Sequence, residues 1–123
     1  MTGPDLVAAA ESAAANAYAP YSEYLVGAAL LLKDGRRYDG CNVENAAYPL
    51  GVCAELTAIA KAASDGVRPG EIDAIGITAS PCGGCRQWLW EFRLDRVTFP
   101  GSAGEIVTYA PAELLPETWD LPA

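Results

Sequence analysis

Apolar and polar positions along the chain switch between a helical and a strand-like spacing, and the switches mark the elements. An alanine-rich run comes first. Thr2 or Asp5 with Pro4 makes a helix start, and the helix is expected to reach about Tyr18, where Pro20 stops it. Leu25 to Lys33 is a largely apolar run that reads as a buried strand. Asp34-Gly35 is a hairpin turn, and Arg36 to Val43 is the returning strand. A loop rich in Asn, Pro and Gly follows, from Glu44 to Gly51. Val52 to Ala63 carries helix formers with apolar residues at Leu56, Ile59, Ala60 and Ala63, and Gly66 suits the C-terminal cap. Glu71 to Ala79 predicts a third strand and Cys82 to Phe92 a helix with Trp88, Leu89 and Phe92 on its apolar side. Arg96 to Phe99 and Glu105 to Tyr109 are short strands around a Gly/Ser turn, and a helical turn around Ala112 to Leu115 opens the tail. This order predicts a three-layer α/β domain spanning residues 1–123, built on a mixed sheet. No linker or repeat divides it.

Composition narrows the function. A hydrophobic fraction of 51% in 123 residues is high for one small domain, which leaves apolar surface uncovered and predicts a homo-oligomer. With 8 basic against 16 acidic residues, a net charge of −8, the chain lacks the cations that neutralise phosphates, so nucleic acid is excluded as a partner. Lys33, Arg36 and Arg37 cluster, but Asp34 and Asp39 dilute them, as in a solvated hairpin tip. No apolar stretch is long enough to span a bilayer, and no targeting segment is visible, so the expectation is a cytoplasmic protein with no membrane partner and reduced cysteines. The sequence contains no histidine. That removes Ser-His-Asp and Cys-His nucleophilic catalysis and the two-histidine zinc proteases. An enzyme built from these residues needs a tuned carboxylate, Cys, Lys or Tyr, or a metal, to move protons.

Two segments carry such chemistry. Cys53-Ala54-Glu55 opens the second helix, and Pro81-Cys82-Gly83-Gly84-Cys85 opens the third. Helix N-termini present free N–H groups and a partial positive charge, which favour thiolate over thiol. Three thiolates on one Zn2+ leave the fourth tetrahedral position open for water, whose pKa the metal lowers towards neutrality, and Glu55 is placed to accept its proton. A Cys-x-Glu with a downstream Pro-Cys-x-x-Cys is the pattern of zinc base deaminases. Two other readings stay open. The Cys-x-x-Cys alone suits a redox pair, although that leaves Cys53 and Glu55 unexplained. A closed structural zinc site needs a fourth ligand, for which Cys41 is the spare cysteine; it reads better as a buried residue at a strand end.

Nearly the whole chain resembles the small homotetrameric cytidine deaminases. The matching pieces occur in order: Ala17-Tyr18-Ala19-Pro20-Tyr21-Ser22, Val26-Gly27-Ala28-Ala29, Gly40-Cys41-Asn42-Val43-Glu44-Asn45, Tyr48-Pro49-Leu50-Gly51, the two cysteine segments continuing to Arg86-Gln87, and Glu113-Leu114-Leu115-Pro116. The resemblance implies the cytidine deaminase-like fold, a five-stranded sheet with helices on both faces, one zinc per subunit, and a tetramer whose sites neighbouring subunits complete. It implies that Glu55 shuttles protons between water, ring N3 and the leaving amine of a cytidine-type nucleoside. Asn42 and Glu44 would bond the ribose hydroxyls, Tyr24 would lie against the nucleoside, and the Ala54 backbone would meet the pyrimidine edge. Without the resemblance, Asn42 and Glu44 read as a solvated turn.

Three departures bear on the substrate. Leu56 stands where tetrameric cytidine deaminases commonly have an Arg bonded to the zinc thiolates, and it resembles the blasticidin S deaminases; Gln87 and the helix N-termini are left to offset the thiolate charge. The strand at Ile72 to Thr78 reaches Pro81 almost directly, where many relatives carry more residues. Ser80 sits where the leaving amine is expected, so the short connection predicts room for N4-acyl or N4-alkyl cytidines. Trp119 replaces a Phe that in the family reaches a neighbour's pyrimidine. The alternative substrate is another aminopyrimidine nucleoside such as blasticidin S, and the alternative to an enzyme is an inert zinc-stabilised scaffold.

Overall fold

Strict alternation along one strand decides which helix lies on which face of the sheet. In β1 (Gly27–Leu32) of the computed structural model, which describes residues 1–120, Ala28, Leu30 and Leu32 join one buried cluster and Ala29 joins another. The second cluster holds Leu6 and Ala10 of α1 (Gly3–Ala14), packed on Ala29 and on Ala74 of β3 (Ile72–Ile77). The first cluster lies on the other side. It gathers Ala54, Ala58, Ile59 and Ala62 of α2 (Ala54–Ser64) and Leu89 of α3 (Gly83–Glu91) against Ile75 and Ile77 of β3 and Val97 of β4 (Arg96–Pro100). The expected three layers are therefore present.

With β2 (Arg37–Cys41) and β5 (Ile106–Tyr109), the strands form one five-stranded sheet in the order β2-β1-β3-β4-β5. Only β3 and β4 run parallel; the other pairs are antiparallel, so the sheet is mixed as expected. The β1–β2 hairpin turns at Asp34-Gly35, where Gly35 has φ +95° and Gly supplies that conformation without strain. Gly40 meets a different need. A Cβ there would lie 2.6 Å from the Ala58 nitrogen, so its absence lets α2 pack directly on β2. The short helix α4 (Pro111–Leu114) follows β5, as the tail pattern predicts. Among the described residues, no helix is long and apolar enough to cross a membrane.

One boundary differs and shapes the site. The first helix stops at Ala14, short of the expected end at Tyr18. Tyr18 is claimed by tertiary pairing: its N–H donates to Asn42 O at 3.0 Å, and its carbonyl accepts from Glu44 N at 2.8 Å. Alanine propensity would continue the helix, but these bonds satisfy the same backbone groups while tying residues 18–24 to the end of β2.

Candidate active site

The two cysteine segments sit where chain enters helix, and both helix starts lie on the same face of the sheet. Cys53 is the N-cap of α2 and Cys82 the N-cap of α3, each with extended backbone and neither with a side-chain cap bond. Their Sγ atoms are thus free to converge with that of Cys85 in the first turn of α3. All three sulfurs lie within 4.8 Å of one another, and Cys53 Sγ is 3.9 Å from Cys82 Sγ. Tetrahedral ligands on one zinc, at Zn–S of about 2.3 Å, stand about 3.8 Å apart. Among the described residues, no further His, Cys, Asp or Glu joins this group, and Cys41 lies outside it.

The electrostatics fit a cation. Burial pushes the Cys53 and Cys85 thiols above their ordinary values, Cys85 far above. Cys82 is also raised by burial, but the Cys85 and Gly84 N–H groups and the two neighbouring thiols outweigh it and hold Cys82 below its ordinary value. Three thiols this close ionise together only beside a positive ion, and soft sulfur donors select zinc. Glu55, in the first turn of α2, is 3% exposed. Burial raises its carboxyl, partly offset by its own N–H and the Cys85 thiol, so the group can both accept and give a proton nearer neutral pH.

A cleft of about 290 Å³ opens onto Cys53, Cys82 and Glu55. Tyr24, Asn42, Glu44, Ala54 and Ser80 also line it, so most of the residues singled out in the sequence come together. No Lys or Arg is among its lining residues. Asn42 is held by Val26 N–H donating to Oδ1 at 2.8 Å and by Nδ2 donating to Tyr24 O at 2.9 Å. Glu44 accepts from the N–H groups of Tyr21 and Ser22 at 3.0 and 3.1 Å and from the Ser22 hydroxyl, which together hold its carboxyl below the usual range.

Other expectations fall elsewhere. Trp119 does not line the cleft of its own chain; its side chain is 67% exposed. Gln87 turns to the tail and donates to Trp119 O at 3.3 Å. Leu56 lines a groove on the outer side of α2, beside Tyr38 and Thr57, not the cleft. Sequence reasoning gave no role to Val26 and Tyr48, which line the cleft, or to Arg86, whose guanidinium bonds Ser80, Pro81 and Leu114. A signal for Arg86 was available: it is the single cation of α3, directly after a cysteine of the Pro-Cys-x-x-Cys segment.

The family model for the cytidine and deoxycytidylate deaminase zinc-binding region matches residues 4–100. The chain belongs to this family. Its relatives include a cytidine deaminase of Sporosarcina psychrophila, 45% identical over 119 residues that cover 90% of this chain and 86% of the relative. One of Halalkalibacterium halodurans is 44% identical over 119 residues, covering 90% and 89%. The crystal structure of cytidine deaminase from Burkholderia pseudomallei matches with a TM-score of 0.89 at 42% identity and covers 97% of this chain and all of that one. The fold expected from the sequence is therefore the fold of the family, and zinc is the family's metal.

Proposed function

We propose that this chain, acting as one domain, catalyses the hydrolytic deamination of cytidine and deoxycytidine, consuming water and giving uridine or deoxyuridine and ammonia. The observation that carries this reading is the convergence of three sulfurs, two of them with the buried Glu55 lining one cleft that has no Lys or Arg among its lining residues. The missing Lys and Arg favour a neutral nucleoside over a nucleotide, whose phosphate would need them.

Cys53, Cys82 and Cys85 hold one Zn2+ per subunit, which supplies Lewis acidity that makes water nucleophilic near neutral pH. Glu55 accepts a proton from the attacking water, delivers it to ring N3, and carries the water's second proton to the departing amine, leaving its oxygen as the C4 carbonyl. The Ala54 N–H, free at the start of α2, meets the pyrimidine edge. Asn42 keeps one N–H and one lone pair beyond its internal bonds, and Glu44 keeps acceptor capacity, so the pair suits two ribose hydroxyls. Tyr24 lies against the nucleoside, and Ser80 faces the exocyclic nitrogen. The exposed Tyr24, Tyr48 and Trp119 support a homotetramer in which Trp119 reaches a neighbour's cleft. We place the enzyme in the cytoplasm.

The connection from Thr78 to Cys82 brings the small side chains of Ala79 and Ser80 to the cleft, which favours room for an N4-acyl or N4-alkyl group. Ultraviolet spectra of the zinc-loaded protein with cytidine, deoxycytidine, dCMP, N4-acetylcytidine and blasticidin S test the whole reading. Conversion of both nucleosides and of N4-acetylcytidine, with dCMP untouched, is expected. Turnover of blasticidin S alone would move the substrate to another aminopyrimidine nucleoside, and turnover of none would leave a zinc scaffold.

A further inference from the structure

Ser80 and Pro81 lead the chain into the thiol cluster, yet the backbone there has little of its own to hold it. Proline brings no N–H to the turn, and residues 78–82 belong to neither β3 nor α3. Arg86, one residue beyond Cys85, supplies the constraint. Its Nε donates to Pro81 O at 2.9 Å, one terminal nitrogen to Ser80 Oγ at 3.3 Å, and the other to Leu114 O at 3.0 Å at the end of α4. Among the described residues, no other side chain bonds to Ser80 or Pro81. A planar, half-buried cation thus clamps the cleft wall to the helix that carries Cys85 and to the C-terminal turn. The rigid fork of donors suits three carbonyl and hydroxyl acceptors in a way that an ammonium does not.

The bond to Ser80 also has a direction. A guanidinium only donates, so Ser80 Oγ accepts and its own proton is left for another partner. Ser80 lines the cleft together with Glu55 and Cys82. Accepting from a cation makes a hydroxyl a stronger donor.

We propose that Arg86 is a positioning residue for the reaction: by clamping Ser80 and Pro81 it fixes the hydroxyl beside the exocyclic nitrogen and so sets discrimination among leaving amines. This rests on the reading that N4 faces Ser80. Arg86 itself lines no part of the cleft and acts through Ser80.

The test compares kcat/KM for cytidine and N4-methylcytidine in the wild type, Ser80→Ala, Arg86→Gln, Arg86→Lys and the Ser80→Ala/Arg86→Gln double variant, with zinc content and melting temperature measured for each. Arg86→Gln is expected to shift the ratio between the two substrates about fivefold, in the same direction as Ser80→Ala, with zinc retained. Arg86→Lys, whose donors all radiate from one nitrogen and so cannot span the three acceptors held by three separate nitrogens, should fall between. The double variant should shift no further than Ser80→Ala alone, as residues acting in series do. Equal losses on both substrates in Arg86→Gln, while Ser80→Ala shifts the ratio, would reduce Arg86 to a structural residue and overturn the proposal; so would additive shifts in the double variant. Should Arg86→Gln not fold, Arg86→Lys decides by the same ratio. If Ser80→Ala itself leaves the ratio unchanged, the placement of N4 beside Ser80 fails, whatever Arg86 does.

Discussion

The two walls of the cleft are built on opposite plans. On the wall formed by the starts of α2 and α3, burial raises Glu55, Cys53 and Cys85 above their ordinary pKa values while N–H groups and neighbouring thiols hold Cys82 below its own, so under the proposed function a bound metal would be needed to ionise the three thiols together. On the wall formed by residues 21–26 and the end of β2, Asn42 and Glu44 are already bonded to the backbone of residues 21–26, and the Ser22 hydroxyl with the Ser22 and Tyr21 N–H groups holds the Glu44 carboxyl below its usual range. One wall stores unfavourable electrostatics for chemistry; the other is preset and offers only its spare acceptors and donors. The difference teaches where a substitution should strike: the first wall should govern turnover and metal content, the second affinity.

Removing the proposed proton carrier should give the largest effect. Glu55→Gln keeps the shape of the first wall but cannot shuttle protons, so kcat should fall by at least about 10³-fold with zinc content unchanged. Metal analysis beside steady-state rates checks this, and retained activity would empty the first wall of its chemistry. Next comes the metal itself. Cys85→Ala should lose zinc and melt at a lower temperature than the zinc-loaded wild type, because a metal bound only by the folded chain stabilises it. A strong chelator should lower the melting point of the wild type and leave that of the variant unmoved. The smallest effect belongs to the second wall. Glu44→Gln should raise KM by about tenfold with kcat nearly kept, the scale of one hydrogen bond to a charged group. A kcat loss as large as that of Glu55→Gln would erase the contrast between the walls.

Acidity probes the second wall separately. The folded pKa of Glu44 is depressed by the Ser22 hydroxyl and the Ser22 and Tyr21 N–H groups. Its contribution is therefore present above the unfolded carboxylate value and is lost as pH falls through the depressed folded one. The 18–24 segment should loosen only below the ordinary carboxylate range.

Much of this was legible in the sequence because local signals and tertiary packing agreed. The hairpin at Asp34-Gly35, the apolar β3 and the helix starts at Cys53 and Cys82 all lie within a residue or two of their expected places. The Cys-x-Glu and Pro-Cys-x-x-Cys segments named the sulfurs that converge. What escaped depends on partners distant in the chain. Tyr18 leaves its helix for Asn42 and Glu44, a competition that alanine propensity cannot register. Gln87, read as a counterweight to the thiolates, bonds the tail instead, and Leu56 faces a groove outside the cleft. Arg86 lay inside a recognised motif, yet its bond to Leu114, 28 residues on, exists only in the folded chain.

The proposed chemistry depends on a metal held by three sulfurs with one position left for water. Zinc K-edge X-ray absorption of the purified protein tests this directly. Three sulfurs at about 2.3 Å and one lighter atom at about 2.0 Å are the predicted shell. A shell of four sulfurs, with Cys41 drawn in to close the site, would contradict it.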